Sequence, residues 1–458
     1  MSRRTSVLAR ERGFDLASLQ RGLYVVSMED LVAALERQPG AFARVRSRVQ
    51  APMFAPIARH IRYYQWQAAH ALLRRSGFVV APCGSGKTLI GCLIAALNGG
   101  RFLVLTTRYA AQWCETLARF FEPTAHRTRV LLAVGETPAL KAGDPFPAAV
   151  VSTYAAFATA KYSTLRQLVY DTVILDEAHA AAARTHLALL DSLHCVWACG
   201  LTATKVREDD ELQKLERRFG PDRVLSVVER AQLIADGFVN AVRILHLLVP
   251  FTHMADLERR MGRTAALGLH PHKIQVVLSA LRQLAHEGHK TIVFCDDLFA
   301  LDWVMQIAVA NGVACIGQIT MKTPQDQRAQ QIDAFSRAAP PATLFLSRTG
   351  DEALDLPSAS AGIVFWHNWK SRRQIVQRLG RLARPHTGAQ PVFLVVLLDE
   401  PKELERSKHR EAFLAEHGFA VESTDQARSA YGAPNLGEGR EYIRQLCAAA
   451  AAAAVGSK

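Results

Sequence analysis

The sequence predicts an α/β protein in which two parallel-sheet domains follow one another, with small N- and C-terminal extensions. Apolar strand candidates alternate with amphipathic helices from about residue 59 to 240, and the alternation begins again at about residue 241. Such alternation is typical of parallel strands whose connecting helices cover the sheet. The predicted segments are an extension at 1–58, domains at 59–240 and 241–398, and a helical extension at 399–458.

The composition is that of a globular protein with a polyanionic partner. The 458 residues suffice for two or three domains with their own cores, and 49% of them are hydrophobic against 21% charged. The formal net charge of +13 favours nucleic acid over a membrane surface as the partner. No apolar run approaches membrane-spanning length and no signal peptide is recognisable. We therefore expect an intracellular, cytoplasmic protein with no membrane partner.

The eight cysteines include no C-x-x-C pair. Most of them lie in apolar strand or helix candidates, which is typical of buried thiols in a reducing compartment. Cys195 and Cys199 flank a strand-like Val-Trp-Ala, a pattern that gives little support to a zinc site.

The N-terminal extension is basic, with nine arginines against five acidic residues in 1–58. Leu23–Val26 is predicted to form a short strand. Arg44, Arg46 and Arg48 alternate, so an extended chain would point their side chains in one direction. Contacts to phosphates and a solvated strand edge are both compatible with this pattern.

Six strands are predicted in the first domain, in the order Phe78–Ala81, Phe102–Thr106, Val130–Val134, Ala148–Ser152, Thr172–Asp176 and Cys195–Cys199. Functional groups of parallel sheets collect at the carboxyl ends of the strands. Lys87, Asp176 and Thr202 lie at or just beyond such ends, so we expect them to meet in one crevice.

The segment Ala81–Thr88 is predicted to bind phosphate. It follows an apolar strand, contains Gly84 and Gly86, and opens an apolar helix with Lys87 and Thr88. The glycines allow successive N–H groups to point at a phosphate, and the helix start adds the positive end of its dipole. In this pattern Lys87 reaches the β- and γ-phosphates, and the Thr88 hydroxyl holds Mg²⁺.

Two carboxylates follow the strand that ends at residue 176. Asp176 is placed to hold Mg²⁺, and Glu177 is the candidate that orients and activates an attacking water. The segment Gly200–Thr204 follows the next strand, and its hydroxyls are expected to bond to these carboxylates. The alternative for that segment is a turn with ordinary threonine capping.

Six strands are also predicted in the second domain, at Arg243–Val249, Thr291–Cys295, Val313–Gly317, Thr343–Ser347, Gly362–Trp366 and Val392–Leu398. This half contains no second phosphate-loop pattern. The sequence therefore predicts that the two domains act as a pair and that the nucleotide binds between them.

The stretch Gln377–Arg384 is predicted to serve the nucleotide from the second domain. On a helix, Gln377, Arg381 and Arg384 would fall along one face. Arginines placed in this way reach a γ-phosphate as arginine fingers, which typically contribute about 10³–10⁵ in rate. A solvated basic helix is the alternative, but Gly380 in its middle argues against it because a helical glycine costs about 1 kcal/mol.

Together these motifs resemble a superfamily-2 DEAD/DEAH-type helicase, and specifically the XPB branch. The resemblance covers roughly residues 61–387 and depends on motifs in a fixed order. They are Arg62–Gln65, Ala81–Thr88, Leu103–Arg108 with Gln112-Trp113, Ser152–Tyr154, Asp176–His179, Leu201–Thr204, Arg207–Asp209, Ile292–Ala300, Gly317–Arg328, Ser347–Asp351 with Leu354–Pro357, and Gln377–Arg384.

The resemblance implies two RecA-like domains that bind ATP and Mg²⁺ and move along nucleic acid. The implied catalytic residues are Lys87, Asp176, Glu177, Arg381 and Arg384, and the implied metal ligands are Thr88 and Asp176. The implied ATP-binding residues are Arg62, Gln65, Gly84, Ser85, Gly86, Lys87, Thr88, Asp355 and Gln377. The implied nucleic-acid contacts are Thr106, Thr107, Arg108, Ser152, Thr153, Arg207, Glu208, Asp209, Ser347, Arg348 and Thr349.

By this resemblance we expect an ATP-dependent DNA helicase or translocase that moves 3′ to 5′ on double-stranded or forked DNA. A DEAH-type RNA helicase is one alternative, because the motif Asp176–His179 does not distinguish DNA from RNA. An ATP-gated nucleic-acid clamp is the other, because a protein can bind nucleic acid without unwinding it. The family's basic thumb insertion would fall at 251–269, where this sequence is short but carries Arg259, Arg260 and Arg263.

Overall fold

A computed structural model describes residues 25–26, 61–107, 110–120, 130–133, 147–181, 183–203, 224–255, 258–259, 262–347, 359–366, 372–384 and 390–422. The chain divides into two compact units, Met1–Asp236 and Gly237–Lys458. This division lies close to the boundary predicted between residues 240 and 241. Each unit is built on its own sheet, as the two alternating stretches of the sequence predict.

The first unit contains a seven-stranded parallel sheet in the order β5-β6-β4-β7-β8-β3-β9. Its strands are β3 (Gly77–Val80), β4 (Phe102–Thr106), β5 (Val130–Ala133), β6 (Ala149–Thr153), β7 (Val169–Asp176), β8 (His194–Thr202) and β9 (Val224–Ser226). A short antiparallel pair, β1 (Val25–Val26) with β2 (Ile61–Arg62), precedes it. Six of the seven strands overlap the six predicted ones, and β9 is the one that the sequence did not predict.

Helices cover both faces of this sheet. They are α1 (Tyr63–Ala71), α2 (Lys87–Asn98), α3 (Ala110–Phe120), α4 (Tyr154–Phe157), α5 (Ser163–Arg166), α6 (Ala178–Ala181), α7 (Arg184–Asp191) and α8 (Arg230–Ala235). Successive strand residues enter opposite cores, since Val104 packs with α2 and α3 whereas Leu103 and Leu105 pack with α4 and α7. This double burial explains why the strands are apolar throughout rather than alternating.

The register of the strands brings their carboxyl ends together. Val80 at the end of β3 pairs with Thr202 of β8, and Leu201 of β8 pairs with Asp176 at the end of β7. On the other side of β7, β4 runs parallel to it and ends at Thr106, beside Thr153 of β6. The predicted phosphate loop and the predicted carboxylates therefore emerge at one edge of one sheet.

The second unit contains another seven-stranded parallel sheet, in the order β12-β13-β11-β14-β15-β10-β16. Its strands are β10 (Arg243–Val249), β11 (Lys290–Cys295), β12 (Cys315–Ile319), β13 (Ala342–Leu346), β14 (Ala361–Trp366), β15 (Val392–Leu398) and β16 (Val421–Glu422). The helices are α9 (Arg263–Gly268), α10 (Pro271–His286), α11 (Leu298–Ala310), α12 (Gln325–Arg337), α13 (Arg372–Leu382) and α14 (Pro401–Glu416). The main core of this unit joins α9, α10 and α11 to one face of the sheet.

The segment that follows residue 398 contributes to the second sheet. Helix α14 contacts β15, and β16 pairs in parallel with β10 through Ile244 and Val421. Arg243 of β10 also binds Glu422 of β16 with two hydrogen bonds of 2.8 Å. Residues 401–422 are therefore integral to the second unit, and they include a helix, α14, in the segment from residue 399 that the sequence predicted to be a helical extension.

The cysteines only partly follow the expectation of buried thiols. Cys92, Cys199 and Cys295 are buried, and burial raises the pKa of the Cys199 thiol to about 12. Cys195 is exposed, because the first residues of β8 protrude at the amino end of the sheet. In the part of the chain that the structure describes, no helix is both long and apolar enough to cross a membrane.

A buried histidine lies at the start of helix α10. His270 is 1% exposed, and its Nε2 atom lies 3.1 Å from the backbone N and 3.2 Å from the backbone O of Thr252. Burial lowers the pKa of His270 to about 4, and the charges of His272 and Lys273 act in the same direction. The imidazole is therefore neutral in the folded protein at pH values where an unfolded chain would already be protonated.

We expect acid to destabilise the second unit through this histidine. As pH falls from about 6.5 to about 4, the unfolded state gains a proton at His270 and the folded state does not, so about 3 kcal/mol of unfolding free energy is lost. Denaturant unfolding at pH 7 and pH 4.5 measures the loss. His270→Asn should reduce it, whereas His253→Asn, at an exposed position, should not. An equal acid dependence in both variants would contradict the assignment.

Candidate active site

The phosphate loop connects β3 to α2. Gly84 and Gly86 both have left-handed φ angles, +84° and +79°, which residues with a side chain rarely adopt. A Cβ atom on Gly86 would also lie 2.5 Å from Nε2 of Gln65. The loop therefore requires glycine at position 86 for two reasons, and helix α2 begins directly after it at Lys87.

Two side chains of the segment that precedes β3 hold this loop. The Tyr64 hydroxyl and the Gln65 amide both donate to the backbone carbonyl of Ser85, over 2.6 and 2.8 Å. Gln65 also accepts a hydrogen bond of 3.0 Å from the backbone N–H of Arg62. The structure shows that Gln65 binds the loop, whereas its predicted contact with ATP stays a prediction.

The loop carries hydrogen-bond donors that can bind a phosphate. Lys87 and Thr88 are half-buried, and Nζ of Lys87 lies 3.3 Å from the carbonyl of Ala81 and 3.5 Å from that of Pro82. The Ser85 hydroxyl is buried and has no hydrogen-bond partner among the described residues. A buried hydroxyl without a partner is costly, so this atom fits a site that is completed by a ligand.

Asp176 is held by three donors at the end of β7. Its Oδ2 accepts from the Thr106 hydroxyl over 3.1 Å and from Trp113 Nε1 over 2.8 Å, while its Oδ1 accepts from the backbone N–H of Glu177 over 3.0 Å. Asp176 is only 9% exposed. These three hydrogen bonds fix the orientation of the carboxylate, which a metal ligand requires.

Glu177 occupies a strained position. Its φ angle of +48° is unusual for a residue with a side chain, and such strain is concentrated at functional sites. Its Oε2 lies 3.3 Å from Nδ1 of His179, which is 3.5 Å from the Thr202 hydroxyl. Thr202 is 1% exposed. A chain of polar contacts thus joins Glu177 to the end of β8 through His179. The direct bond that the sequence predicted between the hydroxyls of 200–204 and the carboxylates stays a prediction.

Three residues that were predicted to contact nucleic acid have buried side chains. Thr106 and Ser152 are 0% exposed and Ser347 is 2% exposed. Thr106 donates to Asp176, and Ser152 donates to the backbone carbonyl of Ala133. Thr106 and Ser152 therefore have hydrogen-bond partners inside the fold, and the contacts of all three residues with nucleic acid stay predictions.

The other predicted contacts fall into two groups. Thr107 and Thr153 are half-buried, and Thr153 Oγ1 caps helix α4 by accepting from the backbone N–H of Ala156. Their roles at nucleic acid stay predictions. Six of these contacts and one predicted ATP-binding residue lie outside the described residues, namely Arg108, Arg207, Glu208, Asp209, Arg348, Thr349 and Asp355.

Tyr154 and Trp113 lie in motifs that the sequence singled out, but their hydrogen bonds to Asp176 were not predicted. The Tyr154 hydroxyl donates to the backbone carbonyl of Asp176 over 3.1 Å. Burial raises the pKa of Tyr154 well above its ordinary value, and the charges of Asp176 and Glu177 raise it further. Trp113 packs against α2 where Gly91 leaves room, since a Cβ atom there would lie 2.6 Å from the indole. Both aromatic residues follow predicted strand ends, but that pattern does not reveal their targets.

We expect Trp113→Phe to lower ATP turnover about tenfold, because it removes the 2.8 Å hydrogen bond to Asp176. Hydrogen bonds to charged groups contribute about 1.5–3 kcal/mol, and 1.4 kcal/mol corresponds to a factor of ten. Steady-state ATPase assays over a range of Mg²⁺ concentrations measure the effect, which should be partly reversed at high Mg²⁺. Trp303→Phe in helix α11 is the control and should retain full activity.

Helix α13 carries the predicted arginines of the second unit. Arg381 is 8% exposed and Gln377 is half-buried. The helix ends at Leu382, so Arg384 lies beyond it and does not share the helical face that the sequence predicted. The backbone carbonyl of Arg384 instead accepts a 3.1 Å hydrogen bond from Nδ2 of Asn240.

Arg263, in the segment where the family thumb would fall, has a structural contact. Its Nη2 donates over 2.9 Å to Oε1 of Glu400, just before helix α14. The Arg263 side chain is 54% exposed and that of Glu400 is 8% exposed. This arginine therefore joins α9 to the start of α14.

Two models of known protein families match this chain. The family model for the ERCC3/RAD25/XPB C-terminal helicase matches residues 237–439, and that for the type III restriction enzyme res subunit matches residues 59–207. The chain is XPB-like, since both of its halves match helicase-type family models and its curated relatives are XPB proteins. Each of its two parallel sheets is the centre of a RecA-like domain, as the resemblance of the motifs predicted.

Curated relatives agree with this family. The XPB/SSL2 helicase/translocase subunit of general transcription and DNA repair factor IIH from Saccharomyces cerevisiae is 29% identical over 398 residues, 81% of this chain and 46% of that protein. The XPB subunit of the same factor from Encephalitozoon cuniculi is 30% identical over 367 residues, 75% of this chain and 52% of that protein. This XPB-like chain spans about half the length of the curated relatives it matches.

A solved structure supports the fold. Dbp5 from S. cerevisiae, bound to RNA and ADP BeF3, superimposes with a TM-score of 0.58 at 14% identity and covers 91% of this chain and 100% of that one. At this identity the likeness shows the fold alone.

The first unit has the groups that Mg²⁺ and the phosphates of ATP require. Mg²⁺ prefers oxygen ligands and usually binds one or two carboxylates together with substrate phosphates. The Asp176 carboxylate and the Thr88 hydroxyl supply such oxygens, and the buried Ser85 hydroxyl marks the loop as a ligand-binding surface. The residues present therefore fit both ATP and Mg²⁺.

Proposed function

We propose that this XPB-like chain is an ATP-dependent DNA helicase or translocase that hydrolyses ATP to ADP and phosphate. The observation that carries the proposal is the convergence at one sheet edge of the phosphate loop, the oriented Asp176 and the strained Glu177. The names of the relatives, which describe helicase/translocase subunits of a transcription and DNA repair factor, support DNA as the substrate. Movement in the 3′-to-5′ direction on double-stranded DNA is the finer part of the proposal.

In the proposed reaction the loop binds the phosphates of ATP and Glu177 accepts a proton from the attacking water. Backbone N–H groups of 84–88 and Nζ of Lys87 would hold the β- and γ-phosphates, with Thr88 and Asp176 as ligands of Mg²⁺. Bound Mg²⁺ would neutralise phosphate charge. Glu177 would accept a proton as water attacks the γ-phosphorus, and the bond to the bridging oxygen would break to release ADP.

Arg381, Arg384 and Gln377 would act on the same γ-phosphate from the second unit. Guanidinium groups stabilise the negative charge that spreads over the transferred phosphoryl group. Because the first unit contains the loop and the second unit carries these arginines, we propose that hydrolysis depends on closure of the two units. Such dependence couples ATP turnover to movement along DNA.

The proposed DNA contacts involve the backbone of the strand. Thr107, Arg108 and Thr153 would bind it from the first unit, and Arg348 and Thr349 from the second. Arg207, Glu208 and Asp209 would assist strand separation, as the matching motif does in XPB proteins. Phosphate contacts carry no sequence information directly, so we expect little sequence preference and strong weakening by salt.

An ATPase assay with matched nucleic acids tests the substrate. At one stated salt concentration, double-stranded and forked DNA should stimulate hydrolysis more than RNA of the same sequence. Stimulation by RNA alone would contradict the proposal and assign the chain to RNA helicases. Arg282→Ala, at an exposed position of helix α10, is a control that should respond as the unaltered protein does.

A further inference from the structure

Five charged side chains are buried together in the second unit, and we call them the charge cluster. They are Lys273, Asp296, Arg378, Glu403 and Arg410. Lys273 and Arg378 are 0% exposed, Glu403 and Arg410 are each 4% exposed, and the Asp296 side chain is 5% exposed. Three cations and two carboxylates without solvent are costly unless each has partners of opposite charge, so the cluster depends on its geometry.

One part of the cluster fixes helix α13. Arg378 donates from Nη2 to Oδ1 of Asp296 over 2.8 Å, and its guanidinium lies 4.7 Å from the ring centre of Phe294. Asp296 directly follows β11, and its backbone N–H binds the carbonyl of Trp366 at the end of β14. Arg378 therefore attaches α13 to the carboxyl ends of two central strands. Arg381 is three residues further along the same helix, on the same side.

A second part of the cluster fixes helix α14. Glu403 accepts from Nζ of Lys273 over 2.7 Å and from the backbone N–H of Leu398 over 3.1 Å. Lys273 lies on α10, and its Nζ is also 5.2 Å from the ring centre of Trp366. Burial lowers the pKa of Lys273, and the Glu403 charge opposes that shift. One carboxylate thus joins α14 to α10 and to the end of β15.

Arg410 connects the two parts. It lies two turns after Glu403 on the inner face of α14. Burial lowers the pKa of Arg410 to about 10; the Glu403 and Glu411 carboxylates oppose this shift, whereas the positive charge of Arg378 adds to it. Helices α13 and α14 are in contact, and the positive charge of Arg378 acts on Arg410 between them. The Glu403 and Glu411 carboxylates counter the positive charge of Arg378 at Arg410, and Asp296 pairs directly with Arg378.

We infer that the charge cluster positions helix α13 through helix α14, so that Glu403 and Arg410 set the placement of Arg381 for ATP hydrolysis. Glu403 and Arg410 are positioning residues, because they act through Arg381 and do not touch the nucleotide. The inference rests on the proposed role of Arg381. It gives residues 401–416, which the sequence placed in an extension, a part in the catalytic cycle.

Neutralising Glu403 tests the inference. Glu403→Gln leaves three buried cations with one buried carboxylate, so α13 and α14 should shift apart and kcat for ATP should fall about tenfold, with KM little changed. Glu405→Gln, the same chemical change on the exposed face of α14, should leave kcat unaltered. Thermal unfolding of both variants monitors the fold.

A double-mutant cycle with Arg381→Ala separates positioning from general damage. Measured in single-turnover reactions with excess enzyme, the effect of Glu403→Gln should shrink to less than about twofold when Arg381 is absent. If Glu403→Gln does not fold, Arg410→Lys replaces it. That variant keeps the charge but loses the planar guanidinium, and its smaller decrease in kcat should also vanish without Arg381.

The outcomes distinguish the inference from the proposed function. An equal decrease with and without Arg381, or no decrease in kcat, would overturn the inference while leaving the proposed role of Arg381 intact. A normal kcat for Arg381→Ala alone would overturn both. The inference predicts that Glu403→Gln lowers kcat only when Arg381 is present.

Discussion

Glu177→Gln is expected to reduce ATP turnover by about 10²–10⁴-fold while nucleotide binding is retained. The amide cannot accept the proton of the attacking water, but it occupies the same volume. The phosphate loop is unchanged, because Tyr64 and Gln65 hold it from a different segment. Single-turnover hydrolysis and the binding of a fluorescent ATP analogue measure the two effects separately.

Glu115→Gln is the matched control for this prediction. Glu115 is an exposed carboxylate on helix α3 of the same unit. It should show unaltered hydrolysis. Loss of nucleotide binding in Glu177→Gln would count against the role of a general base and would indicate a structural role for this strained position instead.

Arg381→Ala is expected to lower kcat by about 10³–10⁵-fold, the range found for arginine fingers. The second unit should stay folded because Arg378, rather than Arg381, attaches helix α13 to Asp296. ATP affinity should change much less than kcat, since transition-state charge is what the guanidinium stabilises. ATPase kinetics combined with thermal unfolding provide the measurement, and near-normal turnover in a folded variant would refute the assignment.

The architecture was predictable because parallel sheets have a strong local signature. Apolar strands separated by amphipathic helices specify the order of the elements. Because functional groups of parallel sheets collect at the carboxyl ends of the strands, the phosphate loop could be placed beside Asp176 without knowledge of any tertiary contact. The strands that were missed, β2, β9 and β16, have two, three and two residues. Strands this short carry almost no periodicity.

The supporting contacts of the site were not predictable from the sequence. The bond from Trp113 to Asp176 spans 63 positions, and that from Arg378 to Asp296 spans 82. No local pattern encodes such pairs, since they depend on how helices pack on the sheet. For the same reason, Thr106 was assigned to nucleic acid by its motif, whereas the fold turns its hydroxyl inward to Asp176.

The functional helix of the second unit shows the limit of a periodicity argument. Spacing placed Gln377, Arg381 and Arg384 on one face, but periodicity holds only while the helix continues. The helix ends at Leu382. Arg378 was not singled out by spacing, yet the fold buries its side chain completely.

Displacement of the third strand from a DNA triplex tests the central claim, that ATP hydrolysis drives movement along double-stranded DNA. Third-strand release is followed by gel with ATP and Mg²⁺ at stated salt, for the unaltered chain and for Glu177→Gln. The account predicts release that requires ATP and is abolished by Glu177→Gln. DNA-stimulated ATP hydrolysis without any third-strand release would contradict it and would identify an ATP-gated clamp.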